Sequence, residues 1–269
     1  MIKNHKRIIR KNILLRLKSL FCCLLVLAVI TANLPIYEIY AATEDELAVD
    51  GEEGAAIPSV IVSDYEELAQ AIDKAKDGDV IGFDRIISIY NDIEFLGDTD
   101  KTITILKMAN DAYIEVGQSQ KLTVRNLICD GNRDTINEEN RSPFFSINSN
   151  TAFKDVTIQN NYSTDRAGAI VINTGVATLV DCTLRNNYAK WGGGHIMLKN
   201  TAIANIQNCV LTNGEAWDGG AIYNYSETAI VNIDRTIIKD NVAKDVGGGV
   251  FNKGKIFVLL PISISGTIC

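Results

Sequence analysis

Gly219-Gly220-Ala221-Ile222-Tyr223-Asn224 is the stretch that decides the fold, because the chain repeats it. A glycine-led apolar strand begins at Gly168, Gly194, Gly220 and Gly248, at spacings of 26, 26 and 28 residues. A second element, Ala177-Thr178-Leu179, returns as Ala204-Asn205-Ile206 and Val231-Asn232-Ile233, 27 residues apart each time. A third, Val156-Thr157-Ile158, returns as Cys182-Thr183-Leu184, Cys209-Val210-Leu211 and Thr236-Ile237-Ile238, at 26, 27 and 27. Asn161, Asn187 and Asn241 close the third element, and Gly214 occupies the same slot in the remaining coil.

Three short β-rich elements per repeat are too short to be stable hairpin partners. Each gains stability only when the next repeat lays the same strand alongside it at the parallel spacing of about 4.8 Å. The pattern therefore predicts an all-β fold, a right-handed parallel β-helix solenoid with coils of about 26 residues. Ile, Leu, Val, Ala and Cys point inward in columns, and Thr, Asn, Arg and Lys point outward. Upstream, residues 64–76 (DYEELAQAIDKAK) carry apolar side chains at three- and four-residue steps, with acids in the first turn and lysines in the last. That is an amphipathic helix, and its expected task is to cap the apolar end and unpaired edges of the first coil.

The glycine-led phrase at Gly219–Asn224, with relatives at Gly247–Asn252 and Ala167–Asn173, resembles the GGAI repeat of the polymorphic outer membrane proteins first described from chlamydiae. Only the first half of that repeat fits. Where the family has Phe in its FxxN turn, this chain has Cys, Val or Thr, as in Cys182-Thr183-Leu184-Arg185-Asn186. The amphipathic helix followed by Gly78-Asp79-Val80-Ile81 is similar to the start of secreted pectin-lyase-like β-helix proteins. The resemblance covers roughly residues 60–260 and implies a fold that hosts lyases, hydrolases and adhesins alike, so activity has to be read from sites.

Before the repeats comes an address. Residues 1–18 hold seven Lys/Arg and no acid; Leu20–Leu34 is apolar; Pro35 and Ala41-Ala42 follow. This order is that of a secretory signal peptide over residues 1–42, with an apolar run shorter than the roughly 20 residues of a spanning helix. Residues 43–62 read as an acidic linker, and residues 63–269 as the β-helix domain. The final stretch, IFVLLPISISGTIC, degrades the repeat without a cap, so a domain truncated at its C-terminus is expected. Export to the cell surface or medium follows from the signal, with no transmembrane segment left after its removal.

The whole chain has 269 residues, 46% hydrophobic and 22% charged, with a net charge of −7. The charge is uneven. Without residues 1–42, 19 basic residues face 32 acids, a balance of −13. An acidic body is a poor partner for a phosphate backbone, so nucleic acid is excluded as a general ligand. Four cysteines lie beyond the signal, with no Cys-x-x-Cys or Cys/His spacing and one histidine, His195, so no metal centre is expected.

The candidate sites are columns. Trp191 and Trp217, 26 residues apart and each just before the glycines, form with Asp218 the best binding candidate, since stacked exposed indoles suit a sugar ring or a partner protein. Asn161, Asn187 and Asn241 read as a structural ladder of turn amides. Asp155 and Asp181 share a slot with Arg185 nearby. Stacked carboxylates with a cation are the raw material of a calcium-dependent lyase, and these are the weak catalytic candidates of an alternative reading, a pectate lyase-like enzyme or glycoside hydrolase acting on an acidic polysaccharide. The simpler cause of Asp before a strand is a turn. No cofactor is expected, calcium being the one the alternative would need. The sequence favours an exported, non-catalytic surface protein with an adhesin-like or structural role, whose partners are glycans or host and matrix proteins.

Overall fold

A computed structural model describes residues 56–135, 142–259 and 263–264; the signal segment and residues 43–55 of the linker lie outside the described residues. The described chain is a parallel β-solenoid of about six coils, each roughly 27 residues from the next. Every strand pairing in it is parallel and joins one coil to its neighbour.

Three long faces run the length of the stack. The first, of nine strands, starts with Val60–Val62 and Val80–Phe83 and continues through Thr157–Gln159, Thr183–Arg185, Val210–Thr212 and Ile237–Lys239. The second, of seven, holds the glycine-led strands, among them Ile170–Ile172, Ile196–Leu198, Ile222–Asn224 and Val250–Asn252. The third, also of seven, includes Val176–Val180, Ile203–Gln207 and Ile230–Asp234. From Tyr162 onward a short fourth face of two-residue strands is added: Tyr162–Ser163, Tyr188–Ala189, Glu215–Ala216 and Val242–Ala243. The spacing is even where the fourth face is present and uneven below it. On the first face, Val80 pairs with Thr104 and Thr104 with Ile128, 24 residues per step, whereas Thr183 pairs with Val210 and Val210 with Ile237, 27 per step.

Registers match the repeat. Ile170, Ile196, Ile222 and Val250 form one inward column, and Leu179, Ile206 and Ile233 another. All seven of these side chains are fully buried. Stacking like on like along these columns lets one packing solution serve the coils that carry them.

The helix predicted over 64–76 runs from Tyr65 to Lys74. The Asp64 side chain caps it by accepting from the Glu67 N–H at 2.8 Å, and the Glu67 carboxylate reaches back to the Ser63 N–H at 2.8 Å. Leu68 and Ile72 are buried in the solenoid's core, so the helix does cover the first coil. The solenoid begins earlier than residue 63, however. Val60–Val62, assigned above to the linker, pairs with Val80–Phe83 and buries Val62. Three β-branched residues beside an unpaired strand edge gain a ladder there, which a solvated linker would forgo.

Candidate functional site

The outer features of the solenoid follow from its turns. Between the third and first faces the chain turns through a left-handed residue, with φ of 54° at Asp155, 55° at Asp181 and 52° at Asn208. Short polar side chains tolerate this region and bond locally. Asp155 and Asp181 are exposed, and Asp181 accepts a hydrogen bond from the Asn208 amide in the next coil. Arg185, also exposed, lies on the first face and donates from Nε to Gln159 Oε1 at 2.8 Å. The three therefore occupy a turn column and an open sheet surface. Among the described residues, no group of three or more His, Cys, Asp or Glu side chains is placed to hold a metal ion.

The asparagine column is a ladder, but its place differs from the expectation. The left-handed turn residues are the preceding ones, Asn160, Asn186, Asn213 and Asp240, with φ of 54–57°. Asn161, Asn187 and Asn241 instead point into the solenoid and are buried. Asn187 Oδ1 accepts from the Asn161 backbone N–H at 3.0 Å and from its amide at 2.9 Å. Asn187 Nδ2 donates to Ile158 O at 3.0 Å and contacts His195 Nδ1 at 2.9 Å. His195 Nε2 meets Asn241 Oδ1 at 3.1 Å, which also accepts from the Gly214 N–H at 2.7 Å.

His195 thus stands in for the missing asparagine of the Gly214 coil. The two changes fit each other. At the slot where other coils have Ala169, Ala221 or Gly249, the preceding coil, which carries Asn187, has a histidine, and its imidazole reaches into the space an asparagine at 214 would take. A Cβ at Gly214 would lie 2.5 Å from the Gly220 backbone oxygen, 2.7 Å from His195 Nε2 and 2.8 Å from Asn241 Oδ1. Since the Asn187 amide donates to Nδ1, the proton belongs on Nε2, where Asn241 Oδ1 accepts it. The ring is fully buried, and loss of water pulls its pKa from 6.5 down to about 4, against opposing hydrogen bonds from Asn241 and Thr212. A buried, neutral, fully engaged imidazole is a structural strut.

Cys182 and Cys209 stack in the same interior, as free thiols, with the Cys182 N–H directed at Cys209 Sγ at 3.4 Å. The neighbouring Cys209 sulfur, followed by burial, pushes the Cys182 thiol up. This pair packs as small apolar groups.

Trp191 and Trp217 lie at the outer rim, on the turn that leads from the fourth face to the second. Each remains close to half exposed, at 48% and 46%, with ring centroids 6.4 Å apart and planes tilted by 51°. Lys190 Nζ sits 5.5 Å from the Trp191 ring. Asp218 does not stand beside the indoles in their column. It continues the next one, Arg166–Gly192–Asp218, and is half-buried. Loss of water, followed by the charge of Asp245, raises its pKa.

That column leans over the second face, whose outward residues Val171, Met197 and Tyr223 are buried beneath it. Glycine at 192 is required by this approach, because a Cβ there would meet the Tyr223 ring at 2.6 Å. Beyond the cover, Lys199, Tyr225 and Lys253 follow one another up the stack. Lys253 Nζ lies 4.6 Å and Arg166 Cζ 5.4 Å from the Tyr225 ring centroid. Lys199, Tyr225 and Lys253 are not singled out by the sequence; Arg166 is noticed there only as a cation near the aspartate column. The signal is present, since 199, 225 and 253 each fall just after the glycine-led strand, but the two lysines stand two coils apart with a tyrosine between them.

No protein-family model, curated protein or solved structure matches the chain. Function therefore rests on the geometry above.

Proposed function

We propose that this chain is an exported β-solenoid that acts at the cell surface or in the medium as a binding scaffold, adhesin-like and non-catalytic. The observation that carries this reading is the tryptophan pair. Two large apolar rings on successive coils are held half in water by a rigid backbone, where their burial would lower the free energy further. A chain that needed only packing would turn them inward, as it does Phe144, Phe145 and Phe153. Rings one coil apart offer a platform for a sugar chain or for an apolar edge of a partner protein. The basic head and apolar run at the N-terminus support export, and the resemblance to surface and secreted β-helix proteins supports the same setting.

The test is binding by the full chain, recovered from the medium or cell surface of an expressing host, to an array of glycans and matrix proteins. Wild type should bind a subset of the array, and Trp191→Ala/Trp217→Ala should lose that subset while keeping its melting temperature. Equal binding by both proteins contradicts the reading.

A further inference from the structure

The outer surface of the second face carries a groove that the tryptophan reading does not use. Two adjoining cavities of about 240 and 640 Å³ lie along it, and they share Arg166 and Lys199. One wall is the turn at Ser163–Arg166; the other is the strand-end turn at Asn200 and Ser226. The floor is Ser146, Val171 and Met197, each from a successive coil. From Ser146 to Phe251 the face spans four coil steps, roughly 19 Å at the parallel strand spacing. A groove of that length, running along the stack, fits an extended oligomer better than a compact metabolite.

Its electrostatics run against the rest of the molecule. Arg166, Lys199 and Lys253 project into it from three different coils, on a body of balance −13 after residue 42. Among the described residues none of the three has an ion-pair partner. Arg166 and Lys199 are only half exposed. A cation drawn partly out of water without a salt bridge is costly, and an anion placed between such cations regains that energy. Asp165 and Glu227 line opposite ends of the groove, and the Asp218 carboxylate lies within electrostatic reach of Lys253, none of them close enough to form a salt bridge with the three cations. The remaining lining suits hydroxyl groups: the amides of Asn173 and Asn200, the Ser226 hydroxyl, and the Tyr225 ring, 43% exposed.

We infer that this groove binds a linear anionic glycan, its sulfate or carboxylate groups received by Arg166, Lys199 and Lys253 and a sugar face laid against Tyr225. The amides and the hydroxyl favour a sugar chain, rich in hydroxyl groups, over a nucleic acid. The site is separate from the tryptophan pair and stands whether or not that pair binds.

The experiment measures binding of the full chain to heparin, to polygalacturonate, to neutral dextran and to single-stranded DNA at low ionic strength. Wild type should bind heparin, polygalacturonate or both, and neither dextran nor DNA; which of the two it takes identifies sulfate or carboxylate as the anion. Lys199→Gln/Lys253→Gln should weaken that binding by about tenfold or more, with an unchanged melting temperature. Lys121→Gln/Lys154→Gln removes the same charge from the third face and should leave binding within about twofold of wild type. The proposal is overturned if neither polyanion binds, if the two double variants lose binding equally, or if DNA binds as tightly as the glycans.

Discussion

The lower coils, residues 80–154, and the upper coils, residues 156–252, build the same stack with different fillings. In the lower coils the interior is wedged with aromatic rings. Phe83 meets Phe144 at 5.4 Å, Phe144 meets Phe145 at 5.0 Å, and Phe145 meets Phe153 at 5.0 Å. In the upper coils the corner between the first and fourth faces is polar: Asn161, Asn187, His195 and Asn241 hydrogen-bond from coil to coil. The lower filling is irregular and needs only volume. The upper filling is directional and needs its partners one coil apart, so it ties the sequence to a period. The period is visible above residue 156 and blurred below it for this reason. The tryptophan pair and the cationic column both sit on the periodic part, where equal coils bring equivalent positions into line.

The most disruptive single change should be in the aromatic wedge. Phe145→Ala empties a fully buried site touched by two other rings and should cost about 3–5 kcal/mol in urea unfolding. A cost below about 1 kcal/mol would mean the lower coils are loosely filled. Asn187→Ala strips partners from the Asn161 amide, Ile158 O and His195 Nδ1 at once and should cost about 3 kcal/mol. A loss of only a few tenths would make the ladder decorative.

The ladder also responds to acid. His195 has a folded-state pKa of about 4 against 6.5, so on acidification the unfolded chain takes up the proton first. Stability from this group is full above about pH 6.5, falls as the pH drops toward 4, and levels off below that. The loss is about 3 kcal/mol at most, and it should appear as the difference between the wild-type stability profile and that of His195→Gln. Parallel profiles across this window would contradict a buried neutral ring. The smallest effect is expected at the rim: Trp191→Ala/Trp217→Ala should change stability by less than about 1 kcal/mol, because both rings are about half in water. A larger loss would make the pair a packing element.

Much of the architecture was legible because a solenoid writes its contacts into its spacing. Ile170, Ile196, Ile222 and Val250 could be placed in one column from residue numbers alone. The capping helix was equally plain, since Leu68 and Ile72 fall on one face. The strand at Val60–Val62 was not, because three residues after an acidic stretch carry no period. The direction of Asn161 and Asn187 was missed by one residue: in each Asn-Asn pair the first takes the left-handed turn and the second turns inward, and identical letters hide that difference. Asp155 and Asp181 looked chemical only as a pair, and the backbone shows the turn that each one serves. The role of His195 in the ladder was the hardest to read. Its partner is an absence, the missing side chain of Gly214, which becomes visible only when the two slots meet in space.

That exchange carries the account of the regular coils, and a double-mutant cycle tests it most directly. Gly214→Asn alone forces a side chain against the Gly220 backbone oxygen and into space that His195 and Asn241 occupy, and should be strongly destabilising; His195→Ala relieves the histidine part of that clash. His195→Ala alone leaves the Asn187 and Asn241 amides short of a partner. The double variant restores the asparagine and the small residue of the neighbouring coils. The account predicts that it is more stable than Gly214→Asn by at least about 1–2 kcal/mol, a clear favourable coupling. Additive losses, with the double variant the least stable of the three, would contradict it.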